Sequence, residues 1–414
     1  MIRLPTTRVR VLRTFFFIVP ALFWTYPAFA QSEYFPPAGE WERRSPEAMG
    51  IHAGRLQAAV DFAIANESTA PRDLEDNHPL SWGAEPFDEP LGPFTVRGPQ
   101  TGIVVKDGYI VAEWGDIRRV DMTFSVSKSF LTSTVGLAYD AGLIRGVHDP
   151  VRDYFAPIVL PPGDGESGNE EDGVGQPTTR SLFESEHNRK ITWDHLLRQT
   201  SDWEGTLWGK PDWADRPGED VAANKNRVRN EPGAVYKYND VRVNLLALAA
   251  LQVWRRPLPE VLRERLMDPI GASPTWRWYG YENSWVTVDG QMVSSVSGGG
   301  HWGGGMHISA LDQARFGYLT LHKGRWGERQ ILSVEWFDLA ETPGEANPRY
   351  GFMNWFLNTG RELVPAAPES AFAHLGAGVN MVYVDREHGL VVVSRWLQRG
   401  SQAEFIERVL QAVR

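Results

Sequence analysis

The sequence predicts an α+β protein: an antiparallel sheet flanked by helices, with a mostly helical domain inserted into it. Three observations carry this. Strand-like runs sit early, at residues 102–114, and late, from about Ser294 onward. The stretch between them reads as helices. The clearest strand runs pair as hairpins around short turns, which suits one antiparallel sheet built from both ends of the chain. On this reading the sheet domain comprises residues 31–120 and 290–414, and the helical domain residues 121–289.

The first 30 residues read as a targeting segment. Arg3, Arg8, Arg10 and Arg13 precede an apolar run, 15–24, that is short for a bilayer span, and Ala28-Phe29-Ala30 offers a cleavage site before Gln31. An uncleaved anchor is the alternative. Pro46 to Ile64 spaces Leu56, Val60 and Ala63 along one helical face. Residues 66–100, rich in Pro, Asp and Glu, read as a surface excursion. Gly102 to Trp114 is a hairpin, two β-rich runs around Asp107-Gly108. An apolar helix then runs from Thr123 to Gly142. Gly163 to Pro177 is Gly-rich and acidic: a mobile insertion, or a calcium loop without EF-hand spacing. Ile191 to Ser201 reads as a helix capped by Thr192, with further helices at 239–256 and 257–268. A last hairpin spans 379–396.

The composition narrows function. The chain has no cysteine, so it carries no disulfide and no lipoprotein attachment site, and with the leader this points to the periplasm. A net charge of −10, more acidic still without the arginine-bearing leader, argues against nucleic-acid partners. No later stretch is long and apolar enough to span a membrane. Seventeen tryptophans supply either core packing or an aromatic-walled cleft.

The chemistry concentrates in Ser125-Val126-Ser127-Lys128. Ser125 and Lys128, three residues apart, share one face of a helix. At a helix N-terminus the dipole favours developing negative charge, and free N–H groups can hold an oxyanion. Lys128 can take the serine's proton if burial or cationic neighbours weaken its hold on its own. The alternative is a plain helix start, with Ser125 as cap and Lys128 solvated. Further on, Pro232-Gly233 leads to Tyr238-Asn239-Asp240 ahead of an apolar helix. Gly298-Gly299-Gly300 precedes Ser309, Asp312 and Arg315-Phe316-Gly317, and His374-Leu375-Gly376-Ala377-Gly378 opens the last hairpin. No Gly-x-Ser-x-Gly or His-Glu-x-x-His occurs, which counts against an α/β-hydrolase and a zincin.

These motifs, in this order, resemble those of the serine β-lactamase and penicillin-binding-protein superfamily over residues 40–410. The likeness is greatest to its class C β-lactamase-related branch, with esterases and 6-aminohexanoate-dimer hydrolases. The resemblance implies a catalytic set of Ser125, Lys128 and Tyr238, and an oxyanion hole from the N–H groups of Ser125 and Ala377 beside Gly376. It implies no cofactor and no metal.

Two positions depart from the family pattern. Asp240 stands where the family has Asn, and a carboxylate there is expected to hold Lys128 as ammonium and push the base role to Tyr238. His374 stands where lactamases have Lys, as a weaker ligand for a substrate carboxylate or as a plain strand histidine. His301 lines the cleft or has no role. The expected activity is an exported serine hydrolase acting on a small ester, amide or short peptide. The alternative is a degenerate scaffold that binds peptidoglycan fragments or another acyl ligand without turnover.

Overall fold

The computed structural model describes residues 33–160 and 178–413. The leader at 1–30 and the acidic 163–177 stretch therefore lie outside the described residues. The anticipated hairpin is present: strands Thr101–Lys106 and Tyr109–Trp114 flank Asp107-Gly108, both at positive φ (48° and 88°), as a tight right-twisting turn requires.

Both ends of the chain contribute to a six-stranded antiparallel sheet. Its order is Phe356–Leu357, Phe372–Gly376, Asn380–Asp385, Leu390–Arg395, Thr101–Lys106 and Tyr109–Trp114. Val104 sits opposite Val392 in the register that joins early and late strands. The side-chain period of two then sorts the apolar residues. Val104, Leu390 and Val392 pack on helices Ala53–Ala65 and Gln402–Val413 through Leu56, Val60, Phe405 and Val409. Ile103, Val105, Val391 and Val393 face the other way, onto helix Ala310–Leu321 through Ala314 and Phe316. Covered on both faces, strand 390–395 reads as an unbroken apolar run, Leu-Val-Val-Val.

A second, four-stranded sheet runs Asp121–Met122, Gly305–Ile308, Arg277–Val288 and Gln291–Val296, so strands resume earlier than the sequence suggests. Between the sheets lies helix Ser127–Asp140, buried from Ser127 to Ala138. Its hydroxyls are tolerated because Thr132, Ser133 and Thr134 each bond the carbonyl four residues back. It packs against helix Asp240–Trp254, which Asn239 caps by accepting from the Arg242 N–H at 3.1 Å. The Thr192 cap is also present, its oxygen 3.2 Å from the His195 nitrogen.

Candidate active site

Ser125 lies in a short turn, Phe124–Val126, that leads directly into helix Ser127–Asp140. Phe124 enters it with φ at 48°, a left-handed conformation worth roughly 1–3 kcal/mol of strain in a non-glycine residue. Its ring is held between Trp82 and Trp396, at centroid distances of 5.6 and 6.4 Å. Local strain just before Ser125 is thus over-determined by aromatic packing.

Lys128 Nζ donates to Ser125 Oγ at 2.8 Å and to Asp240 Oδ1 at 2.6 Å. The lysine and aspartate side chains are 0% and 1% exposed, so this pair sits in a dry interior. Gly299 makes room for it: a Cβ there would collide with both Lys128 Nζ and Asp240 Oδ1. Gly376 is required for the same kind of reason, since a Cβ would strike the Thr123 carbonyl beside the Ser125 and Val126 nitrogens. The strand Phe372–Gly376 therefore ends flush against the turn that carries Ser125.

Tyr238, partly exposed, lies beside Ser125 on the cavity wall, and its ring lies 4.6 Å from Lys128 Nζ. It is placed by its neighbour Asn239, whose backbone N–H donates to Gln199 Oε1 at 2.6 Å and whose side chain donates to the Asp212 carbonyl at 2.7 Å. Ser125, Tyr238, Gly376 and Ala377 all line one cavity of about 820 Å³. Its walls are mostly apolar, from Leu74, Leu80, Trp82, Leu375, Val379 and Trp396.

Arg216, which the sequence reading passes over, also lines this cavity. It donates to Asp240 Oδ2 at 2.8 Å and pairs with Asp215. The only sequence signal was an Asp-Arg pair in a Pro-Gly-rich loop, which is too common to single out. Its position depends on a left-handed backbone, φ 48°.

The electrostatics reverse two expectations. Lys128 binds its proton less tightly than an ordinary lysine, because burial and then Arg216 outweigh the opposing pull of Asp240. Tyr238 is raised rather than lowered: burial and the Asp240 charge disfavour phenolate more than Arg216 and Ser125 favour it. Asp240 itself is held well below the usual carboxylate range. Burial alone would raise it, but Lys128 and Arg216 prevail. Of the two groups beside Ser125, Lys128 thus has its hold on a proton weakened and Tyr238 has its own strengthened.

Two further residues are placed differently from expectation. His374 does not reach the cavity. It is fully buried, its Nδ1 3.0 Å from Ser129 Oγ and its ring against Trp355 at 4.4 Å, and desolvation pushes it down to about 3. Strand alternation is the reason: Leu375, the next residue, faces the cavity. His301 likewise does not line the cavity but belongs to the charge cluster behind it. Its Nδ1 is 3.6 Å from Asp240 Oδ2, and its Nε2 is 3.0 Å from Glu85 Oε2 and 4.0 Å from Asp215 Oδ1.

Glu85, Asp215 and His301 bring ligand atoms within 4.8 Å of one another. The Arg216 guanidinium already lies on Asp215 and supplies the positive charge a cation would bring, so the group is an ion-pair cluster. Ser127 and Ser129 are spoken for: Ser127 Oγ accepts from the Met306 N–H at 2.8 Å, and Ser129 Oγ meets His374 and Asn354.

The family model described as Beta-lactamase matches residues 104–396. No curated protein matches the sequence. Among solved structures, EstCE1, "a hydrolase with promiscuous acyltransferase activity", superposes with a TM-score of 0.53 at 15% identity, covering 89% of this chain and 99% of its own. A family VIII carboxylesterase gives 0.53 at 14% identity, covering 87% and 98%. A penicillin-binding-protein homologue from Caulobacter crescentus gives 0.51 at 13% identity, covering 88% and 99%. At these identities the likeness is one of fold.

Proposed function

This chain belongs to the β-lactamase family, and from that premise we propose that it is an exported serine hydrolase acting on ester or amide carbonyls through an acyl-enzyme at Ser125. The observation that carries the reading is the 2.8 Å contact between Lys128 Nζ and Ser125 Oγ, made at a helix start inside an open cavity. Lys128, with its hold on a proton weakened, accepts the Ser125 proton as Oγ attacks the carbonyl carbon. The N–H groups of Ser125 and Ala377 receive the oxyanion. Tyr238, a neutral phenol on the same cavity wall beside Lys128, passes the proton on to the departing alcohol or amine. Water then attacks the acyl carbon by the reverse route, releasing the acid and free Ser125.

The cavity favours neutral, apolar substrates. Of its three arginines, Arg97 is engaged by Glu67 and by the Ser68 and Ala70 carbonyls, and Arg216 by Asp215 and Asp240. Arg399 stands at the exposed rim. With Leu375 facing the cavity and His374, which stands where lactamases have Lys, buried behind it, we expect small ester or amide substrates to be turned over better than anionic β-lactams. Residues 1–30 serve as a cleaved leader, so N-terminal sequencing of periplasmic protein should begin at Gln31; an intact Met1 would overturn export by this route. Among the described residues no helix is long and apolar enough to cross a membrane.

The test is labelling by a fluorophosphonate, which reacts only with an activated serine, followed by kinetics on p-nitrophenyl esters and nitrocefin. The wild type should be phosphonylated at Ser125. Ser125→Ala should abolish labelling and cut turnover by orders of magnitude. An unlabelled wild type would instead fit a binding scaffold without turnover.

A further inference from the structure

Four contacts run in series from the nucleophile to a segment of the chain remote in sequence. Ser125 Oγ meets Lys128 Nζ at 2.8 Å, and Lys128 Nζ meets Asp240 Oδ1 at 2.6 Å. Asp240 Oδ2 lies 3.6 Å from His301 Nδ1, and His301 Nε2 lies 3.0 Å from Glu85 Oε2. The Asp240–His301 separation is too long for a good hydrogen bond but short enough for strong charge interaction in a dry site. The His301 side chain is completely buried, and that of Glu85 is 17% exposed. Glu85 does not line the Ser125 cavity.

We propose that Glu85 and His301 are positioning residues for the Ser125–Lys128 centre: through Asp240 they draw negative charge away from Lys128 and keep the lysine able to accept a proton. The proposal rests on the hydrolase reading above. It follows from the charges that surround the imidazole. Glu85 reaches it from the segment ahead of the first hairpin, Asp215 and Arg216 from the loop before helix Asp240–Trp254, and Asp240 from that helix. Burial and Arg216 oppose its protonation. Asp215, Asp240 and Glu85 prevail, and His301 holds its proton more tightly than a free histidine. The resulting imidazolium competes with Lys128 for the same carboxylate. If His301 loses its proton, Asp240 is left to Lys128 and Arg216 and binds the ammonium more firmly.

The sign makes this testable. Glu85→Gln removes a negative charge, which by itself would ease deprotonation of Lys128. It also removes the partner that helps keep His301 charged, and His301 is the nearer of the two to Asp240. The proposal requires the second effect to win. Phosphonylation rates of the full chain, measured against pH with a fluorophosphonate, should show the acid limb of Glu85→Gln shifted up by about one pH unit. Below the limb this is about a tenfold slower reaction. His301→Gln should shift it at least as far, and the double variant no further than His301→Gln, because Glu85 acts through the histidine. Glu85→Asp should restore part of the limb.

A second readout needs no catalysis. In Ser125→Ala protein, the His301 ring followed by NMR should titrate at lower pH once Glu85 is Gln. A limb that stays put, moves down, or shifts additively in the double variant overturns the proposal while leaving the hydrolase reading intact. An unlabelled wild type overturns both. An unmoved His301 titration overturns the Glu85 part even where the limb shifts.

Discussion

Replacing Asp240 by Asn removes one charge and almost no volume, which makes it the sharpest probe of the buried pair. In the native site the carboxylate contacts Lys128 at 2.6 Å and Arg216 at 2.8 Å. In the variant the lysine faces a neutral amide and keeps Arg216 as a nearby cation, so both changes disfavour the ammonium. At an effective dielectric of about 20, unit charges 2.6 Å apart attract by about 6 kcal/mol. One pH unit corresponds to about 1.4 kcal/mol. Even if relaxation recovers three quarters of the attraction, the acid limb of the labelling profile should move down by about one unit. Stability should fall as well, because two buried cations lose their shared anion, a loss of about 3–5 kcal/mol while both stay charged. That deficit should shrink as pH rises, since Lys128 can then discard its proton. Labelling rates and urea midpoints across the pH range read both effects. A limb that stays in place or moves up would show that Lys128 is not the group titrating.

Three other outcomes are expected. Gly299→Ala should force Lys128 and Asp240 apart, costing about 3 kcal/mol and at least a hundredfold in labelling rate; a urea midpoint equal to wild type refutes it. His374, held at about 3 against about 6.5 in an unfolded chain, stays neutral in the fold while the unfolded chain takes up a proton below pH 6.5. Wild-type stability should therefore drop by about 3 kcal/mol between pH 6.5 and 4 on its account, a slope His374→Leu should flatten, with ester kcat/KM changed less than tenfold. Unchanged slopes would refute the burial argument, and a larger kinetic effect would return His374 to the substrate. Asp240, depressed in the fold, adds stability above pH 4 that is lost as pH falls through its folded value, so Asp240→Asn should be less sensitive to acid in that window than wild type.

Much of the fold was legible because it rests on local chemistry. Asp107-Gly108 specifies its turn, the β-rich runs on either side specify its strands, and Thr192 announces its helix. Strand Arg277–Val288 was not legible. Its polar and aromatic residues alternate with burial only once the Gly305–Ile308 strand lies beside it, and that pairing is non-local. The 66–100 excursion lies largely at the surface, as its composition suggests, but its inward-facing residues were not legible for a related reason. Its composition is that of a solvated loop, yet Leu74 is buried and Trp82 and Glu85 reach into the site.

The site divides along the same line. Ser125 and Lys128 meet because three residues on a helix put them on one face, whereas Tyr238, far off in the chain, was placed beside them only through the resemblance its motif carries. The balance of charge around them follows from neither. Motif logic considered Asp240 and Lys128 as an isolated pair, in which the carboxylate must raise the lysine. The fold adds Arg216, Asp215, His301 and Glu85, drawn from three separate segments, and removes water from most of them. In that setting desolvation and the second cation decide the outcome, reversing the sign expected from the pair. An ammonium held by one anion in water is a poor base. On the proposed reading the same lysine, buried and sharing its anion with the Arg216 guanidinium and the His301 ring, is the base that a serine 2.8 Å away uses.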